Sequence, residues 1–106
     1  MAWFILFLAG LLEIAWAFFM KKSEGFTLLV PSVITIVLMM ASFILLSISM
    51  KALPLSSAYA VWTGVGSAGA FLVGVAVLGE AATPMRMLAA VFIIAGIAMM
   101  KLSSSS

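Results

Sequence analysis

Cysteine and histidine are both absent from this chain, and only three acidic and five basic side chains occur among its 106 residues. Each absence removes a class of chemistry. Without cysteine there are no disulfides, thiolate ligands or thiol nucleophiles. Without histidine there is no imidazole ligand and no imidazole general base. The charged fraction is 8%, against about 25% in a soluble domain. The five basic residues are scattered and make no basic face, which excludes nucleic-acid binding. What fills the chain instead is apolar: 67% of it is hydrophobic, and its mean hydropathy is +1.42. So short a chain buries only part of its surface. The excess therefore points to lipid, and the chain reads as a small integral membrane protein rather than a soluble enzyme.

A helix crossing the ~30 Å hydrocarbon layer needs about 20 largely apolar residues. Four such stretches fit, at about 2–20, 28–50, 57–78 and 85–102. Lys21 to Gly25 break the first from the second. Pro31 falls in the first turn of the second, where a missing N–H costs little. Lys51, Pro54, Ser56 and Ser57 end the second, and Gly79, Glu80, Thr83 and Pro84 follow the third. Arg86 and Lys101 bracket the fourth and can snorkel to the headgroups. Ser103 to Ser106 read as a frayed polar tail. The loops leave no room for an extramembrane domain, and the absence of strand alternation argues against a barrel. One all-α membrane domain of four antiparallel helices over 1–106 is expected. Ala15-Trp16-Ala17 has the form of a signal-peptide cleavage site. No Lys or Arg precedes the apolar run and Glu13 interrupts it, so residues 1–20 are read as a span.

Basic residues near span ends set orientation. Lys21, Lys22 and Arg86 fall on one side, and Lys51 and Lys101 on the other. So even a balance suits a chain that inserts both ways round. Copies in opposite orientations can pair as an antiparallel homodimer, the inverted symmetry by which many transporters alternate between faces. Four short helices scarcely enclose a pathway; two copies supply eight.

Glu13 is the most informative residue. It lies mid-span, and an acid at that depth costs about 2.5–3.5 kcal/mol on the insertion scale for Asp. Such groups face the protein interior or a water-filled cavity and mark ion or substrate pathways. A carboxyl there can exchange a proton or hold a cation. Glu24 and Glu80 fall in loops and read as solvated. On the helix face of Glu13, Ala9, Gly10 and Ala17 leave space, and Trp16 follows one turn later. Tyr59 and Trp62 share a face of the third span. Thr35, Ser42 and Ser49 recur every seven residues on the second. Thr35 and Ser49 are read as bonding back to their own helix, and Ser42, at about the depth of Glu13, as part of the site. Glu13 with Trp16, Ser42, Tyr59 and Trp62 would form a small cation-binding box. The carboxylate supplies charge, the rings cation–π attraction, and the hydroxyl and N–H groups orient the carboxylate. A guanidinium suits it, because its planar fork bonds a carboxylate bidentately.

Gly66, Ala70 and Gly74 repeat every four residues on the third span, a spacing that lets helices approach closely. Gly10 offers space on the first span, and Gly64 with Gly66 permits a bend in the third. Ala89 and Gly96 share a face of the fourth and suit a close helix pair, either within one subunit or between two.

Several stretches together resemble the small multidrug resistance family over essentially the whole chain. They are the lone first-span Glu13, Lys22-Ser23-Glu24-Gly25-Phe26-Thr27 followed by Pro31-Ser32, and Ala58-Tyr59-Ala60-Val61-Trp62-Thr63-Gly64-Val65-Gly66. Within the family the chain is most similar to the guanidinium-exporter subtype. The features are Gly10-Leu11-Leu12-Glu13-Ile14-Ala15-Trp16, Trp62-Thr63-Gly64, and Gly79-Glu80 with Pro84-Met85-Arg86. The resemblance implies an antiparallel dual-topology homodimer in the bacterial inner membrane. It implies proton-coupled export of guanidinium and small related cations; no cofactor is expected. Glu13 of both subunits would bind protons or substrate, within a network of Trp16, Ser42, Tyr59 and Trp62. A substrate portal between second-span helices is also implied. The alternatives are an exporter of quaternary ammonium or aromatic cations, a passive cation channel, and a non-transporting accessory subunit. An intramembrane hydrolase lacks a catalytic set.

Overall fold

Four helices account for most of the computed structural model, which describes residues 1–103. They are α1 (Ala2–Lys22), α2 (Leu29–Ser49), α3 (Leu55–Ala76) and α4 (Pro84–Ser103). No strand occurs among the described residues. At ~1.5 Å per residue each helix is about 30 Å long, one hydrocarbon thickness. All four are apolar enough to cross a membrane, with mean hydropathies of 2.1, 2.5, 1.4 and 1.9. Of the expected serine tail, Ser103 closes α4, and Ser104 to Ser106 lie outside the described residues.

Local chemistry sets the ends. Lys21 and Lys22 complement the carbonyl end of α1. Ser23, fully buried, donates its hydroxyl to the Met20 carbonyl at 2.6 Å and accepts the Phe26 N–H at 3.0 Å. A left-handed turn follows, with φ of 51°, 74° and 66° at Glu24, Gly25 and Phe26, and it reverses the chain into α2. α3 begins two residues earlier than its expected span, because Pro54 sits extended at its N-cap and its carbonyl accepts the Ala58 N–H. It ends at Ala76, where Gly79 (φ 70°) turns the Glu80 N–H onto the Gly74 carbonyl at 2.9 Å. Pro84 opens α4, and the Thr83 hydroxyl accepts the Arg86 N–H.

The helices pack in the order α2, α1, α3, α4, as a slab 43 × 34 × 16 Å. α1 lies against both α2 and α3, whereas the α4 backbone packs along α3 and only side chains at its C-terminal end reach α1. The shared core is Leu6 and Ala9 from α1, Leu46 from α2, Leu53, and Ala58, Val61 and Trp62 from α3. Two glycines set close approaches. A β-carbon at Gly10 would stand 2.6 Å from Val65 on α3, and one at Gly64 would stand 2.9 Å from Ile97 on α4.

α2 is patterned inside out. Its buried residues are Ser32, Thr35, Ser42, Leu46 and Ser49, while Val33, Ile36, Val37, Met40 and Ile44 face outward. Hydrocarbon solvates apolar side chains as well as a protein core does, so the hydroxyls take the interior. Thr35 donates to the Pro31 carbonyl four residues back, and Ser49 to Leu46, three back rather than four. α4 buries no residue at all.

Candidate functional site

Glu13 enters the α1–α3 seam at mid-depth. Its carboxyl lies against Gly66, in the space a β-carbon there would occupy. One helical repeat further along α3, Gly69 gives the same room to Ile14. Gly66 therefore makes space for a carboxyl, a different service from the backbone approach or bend that its spacing suggests. Helix α3 is continuous through Gly64 and Gly66. Oε1 of Glu13 is buried and has no hydrogen-bond partner.

Ser42 is fully buried, one turn of α1 away from the half-buried acid. Its hydroxyl donates to the Ala9 carbonyl at 2.7 Å and accepts the Trp62 indole N–H at 3.0 Å. One side chain thus ties α1, α2 and α3 together. Neither Ser42 nor Trp62 bonds the carboxyl of Glu13 within the subunit, because both spend their polar atoms on each other and on the backbone. The indole N–H of Trp16 is buried and unpartnered. Tyr59 stands beside Trp62 and is 53% exposed.

The rings form a continuous row across three helices. Trp16 meets Phe43 edge-on with centroids 6.4 Å apart. Phe43 meets Trp62 at 5.7 Å, and Trp62 meets Tyr59 at 5.7 Å. Phe43 joins the two tryptophans and was missed by sequence reasoning. It is one of eight phenylalanines, and its turn of α2 also faces lipid, so residue type and position carried no signal.

The remaining predicted positions lie apart from this row. Gly10 and Gly64 sit at the α1–α3 and α3–α4 contacts. Ala89 and Gly96 are exposed on α4, and a β-carbon at Gly96 would meet nothing within 4 Å.

Chemically the site offers an anion-capable carboxyl with no hydrogen-bond donor on its buried oxygen, one turn before Trp16 on α1 and against Gly66, one turn after Trp62 on α3. Such rings attract cations within about 6 Å of their centroids. An intramembrane carboxyl of this kind marks an ion or substrate pathway.

Four membrane-crossing helices, with one mid-depth acid in the seam between two of them, define a small multi-pass membrane transport protein. A family model described as Small Multidrug Resistance protein matches residues 1–94, and the chain belongs to that family. It is accordingly a multi-pass protein of the bacterial inner membrane. It is similar to a guanidinium exporter of Citrobacter freundii, 50% identical over 104 residues covering 98% of this chain and 99% of that protein. Guanidinium exporters of Salmonella typhimurium strain LT2, at 51%, and Escherichia coli strain K12, at 50%, match over the same shares.

Proposed function

We propose that this protein is a proton-coupled antiporter that exports guanidinium and small guanidinyl cations, working as an antiparallel homodimer. The observation that carries the reading is the buried Glu13 oxygen without a partner, on a helix pair that also carries Trp16, Trp62 and Tyr59 of the aromatic row. The name printed for relatives at half identity supports the cargo.

The shape of the subunit supports the dimer. A row of four helices 16 Å thick encloses no pathway. α4 has no buried residue, and its Ala89–Gly96 face is open. Two copies inserted oppositely would enclose a site between their aromatic rows and bring two Glu13 carboxyls to it.

Coupling then needs only competition. Protons neutralise the two carboxyls, or one cation does. A pair of bare anions in hydrocarbon is disfavoured, so the empty dimer seldom changes face. Loading with either ligand permits the swing, and the proton gradient drives the cation outward.

The test is transport current from purified protein in liposomes on a supported membrane. Guanidinium is expected to give a current that Glu13→Gln abolishes, and a pH gradient is expected to drive it beyond equilibrium. A response to bulky quaternary ammonium alone would move the protein to drug export. Flux that stops at equilibrium would make it a channel. Indifference to Glu13→Ala would leave an accessory subunit.

A further inference from the structure

The membrane face where α1 begins and α4 ends has a charge pattern that transport does not use. The chain's three acids lie elsewhere: Glu13 at mid-depth, and Glu24 and Glu80 in the loops of the opposite face. That opposite face sets Lys21, Lys22 and Arg86 against its two carboxylates. The first face holds Lys51 and Lys101 with no acidic side chain to balance them.

Lys101, in the last turn of α4, reaches across to α1, where its Nζ stands 4.9 Å from the centroid of the Trp3 ring. A groove of about 360 Å³ adjoins this pair between α1, α3 and α4. Its walls are hydrocarbon, from Phe4, Phe7, Val61, Val65 and Ile97. Phe4 and Phe7 are well exposed, so the groove opens sideways to the bilayer.

Both ends of this groove match one molecule in its surroundings. A tryptophan and a lysine at a span end sit at headgroup level, and the walls beyond them sit at acyl-chain level. We propose that the α1–α3–α4 groove is a binding site for an anionic phospholipid. Its phosphate pairs with Lys101 beside Trp3, and an acyl chain lies along Phe4, Phe7 and Ile97. The ammonium–phosphate pair is charge-assisted, and no Asp or Glu side chain on this face competes for Lys101. A zwitterionic lipid fills the same groove less well, because its own cation competes for the phosphate.

Native mass spectrometry of the purified full chain tests this, with phosphatidylglycerol and phosphatidylcholine of identical acyl chains added in equal amounts. The wild type is expected to retain phosphatidylglycerol preferentially. Lys101→Gln should lower the bound fraction about fivefold, the effect of one lysine at an anionic surface, and Lys51→Gln should change it by less than about twofold. Equal retention of the two lipids, equal losses in the two variants, or no retained lipid, as when a second copy fills the groove, would each overturn the proposal. A second measurement reads the site directly. With Trp16→Phe and Trp62→Phe, Trp3 is the only tryptophan left. Brominated phosphatidylglycerol should quench it more than brominated phosphatidylcholine, and Lys101→Gln should erase the difference. Equal quenching before the substitution would refute the site.

Discussion

The carboxyl of Glu13 and the α-carbon of Gly66 are in contact, with the acid filling the volume a side chain at Gly66 would need. Only glycine permits this placement. Gly66→Ala sets a methyl where the carboxyl lies, and one of them must yield. Overpacking of this kind costs about 1–3 kcal/mol. If the flexible carboxyl yields and the helices stay, the cost falls on the site, at about 5- to 150-fold in cation affinity. Guanidinium binding to the purified variant should weaken by that much, with its helical circular dichroism unchanged. Unaltered binding would mean that Glu13 does not work from this position.

Ser42 joins three helices through two hydrogen bonds. Ser42→Ala removes the acceptor of the Trp62 N–H, and hydrocarbon offers no water to replace it. Interhelical hydrogen bonds in membranes average about 0.6 kcal/mol and reach about 1.7 kcal/mol. Ser42→Ala should therefore lower stability to unfolding in mixed micelles by about that range. In a Trp62→Phe background the same substitution should cost less, since the shared bond is already gone. Equal costs in both backgrounds would show that the bond contributes nothing.

These two sites show what a sequence can carry. Apolar run length is enough to find four helices, because hydrocarbon thickness fixes the length and lipid tolerates no stray charge. Glu13 is legible for the same reason. Heptad spacing places Thr35, Ser42 and Ser49 on one face, and that face is the buried one. Spacing fixes a face but says nothing of how far one helix slides along another. Spacing thus groups Ser42 and Trp62 with Glu13 by face and depth, and the axial offset that sets the Ser42 hydroxyl on the Ala9 carbonyl comes only from the packed structure. Phe43 was illegible because lipid-facing and site-facing aromatics on a membrane helix are chemically alike.

The α1–α3 seam is held close at Gly10, whose β-carbon would strike the Val65 side chain. Gly10→Ala should destabilise the subunit by about 1–3 kcal/mol. Val65→Gly removes both the Cγ1 and the Cβ that stand in the way, so the double variant should recover most of the loss introduced by Gly10→Ala. Recovery identifies the clash as the cause. A double variant as unstable as the sum of the two singles would place the damage elsewhere, because uncoupled sites add.

Gly64 and Gly96 separate packing inside a subunit from packing between subunits. Gly64 faces Ile97 and Ile93 across the α3–α4 contact, whereas nothing in the subunit lies near Gly96. Gly64→Leu should therefore loosen α4 from α3 and lower subunit stability. Gly96→Leu should leave the isolated subunit intact, since its side chain enters open space. If the Ala89–Gly96 face meets α4 of a second copy, the added bulk separates two backbones that small residues let approach. Sedimentation in detergent should then find Gly96→Leu shifted toward monomer while its circular dichroism stays that of the parent. A variant that remains as dimeric as the parent would remove this face from the subunit interface.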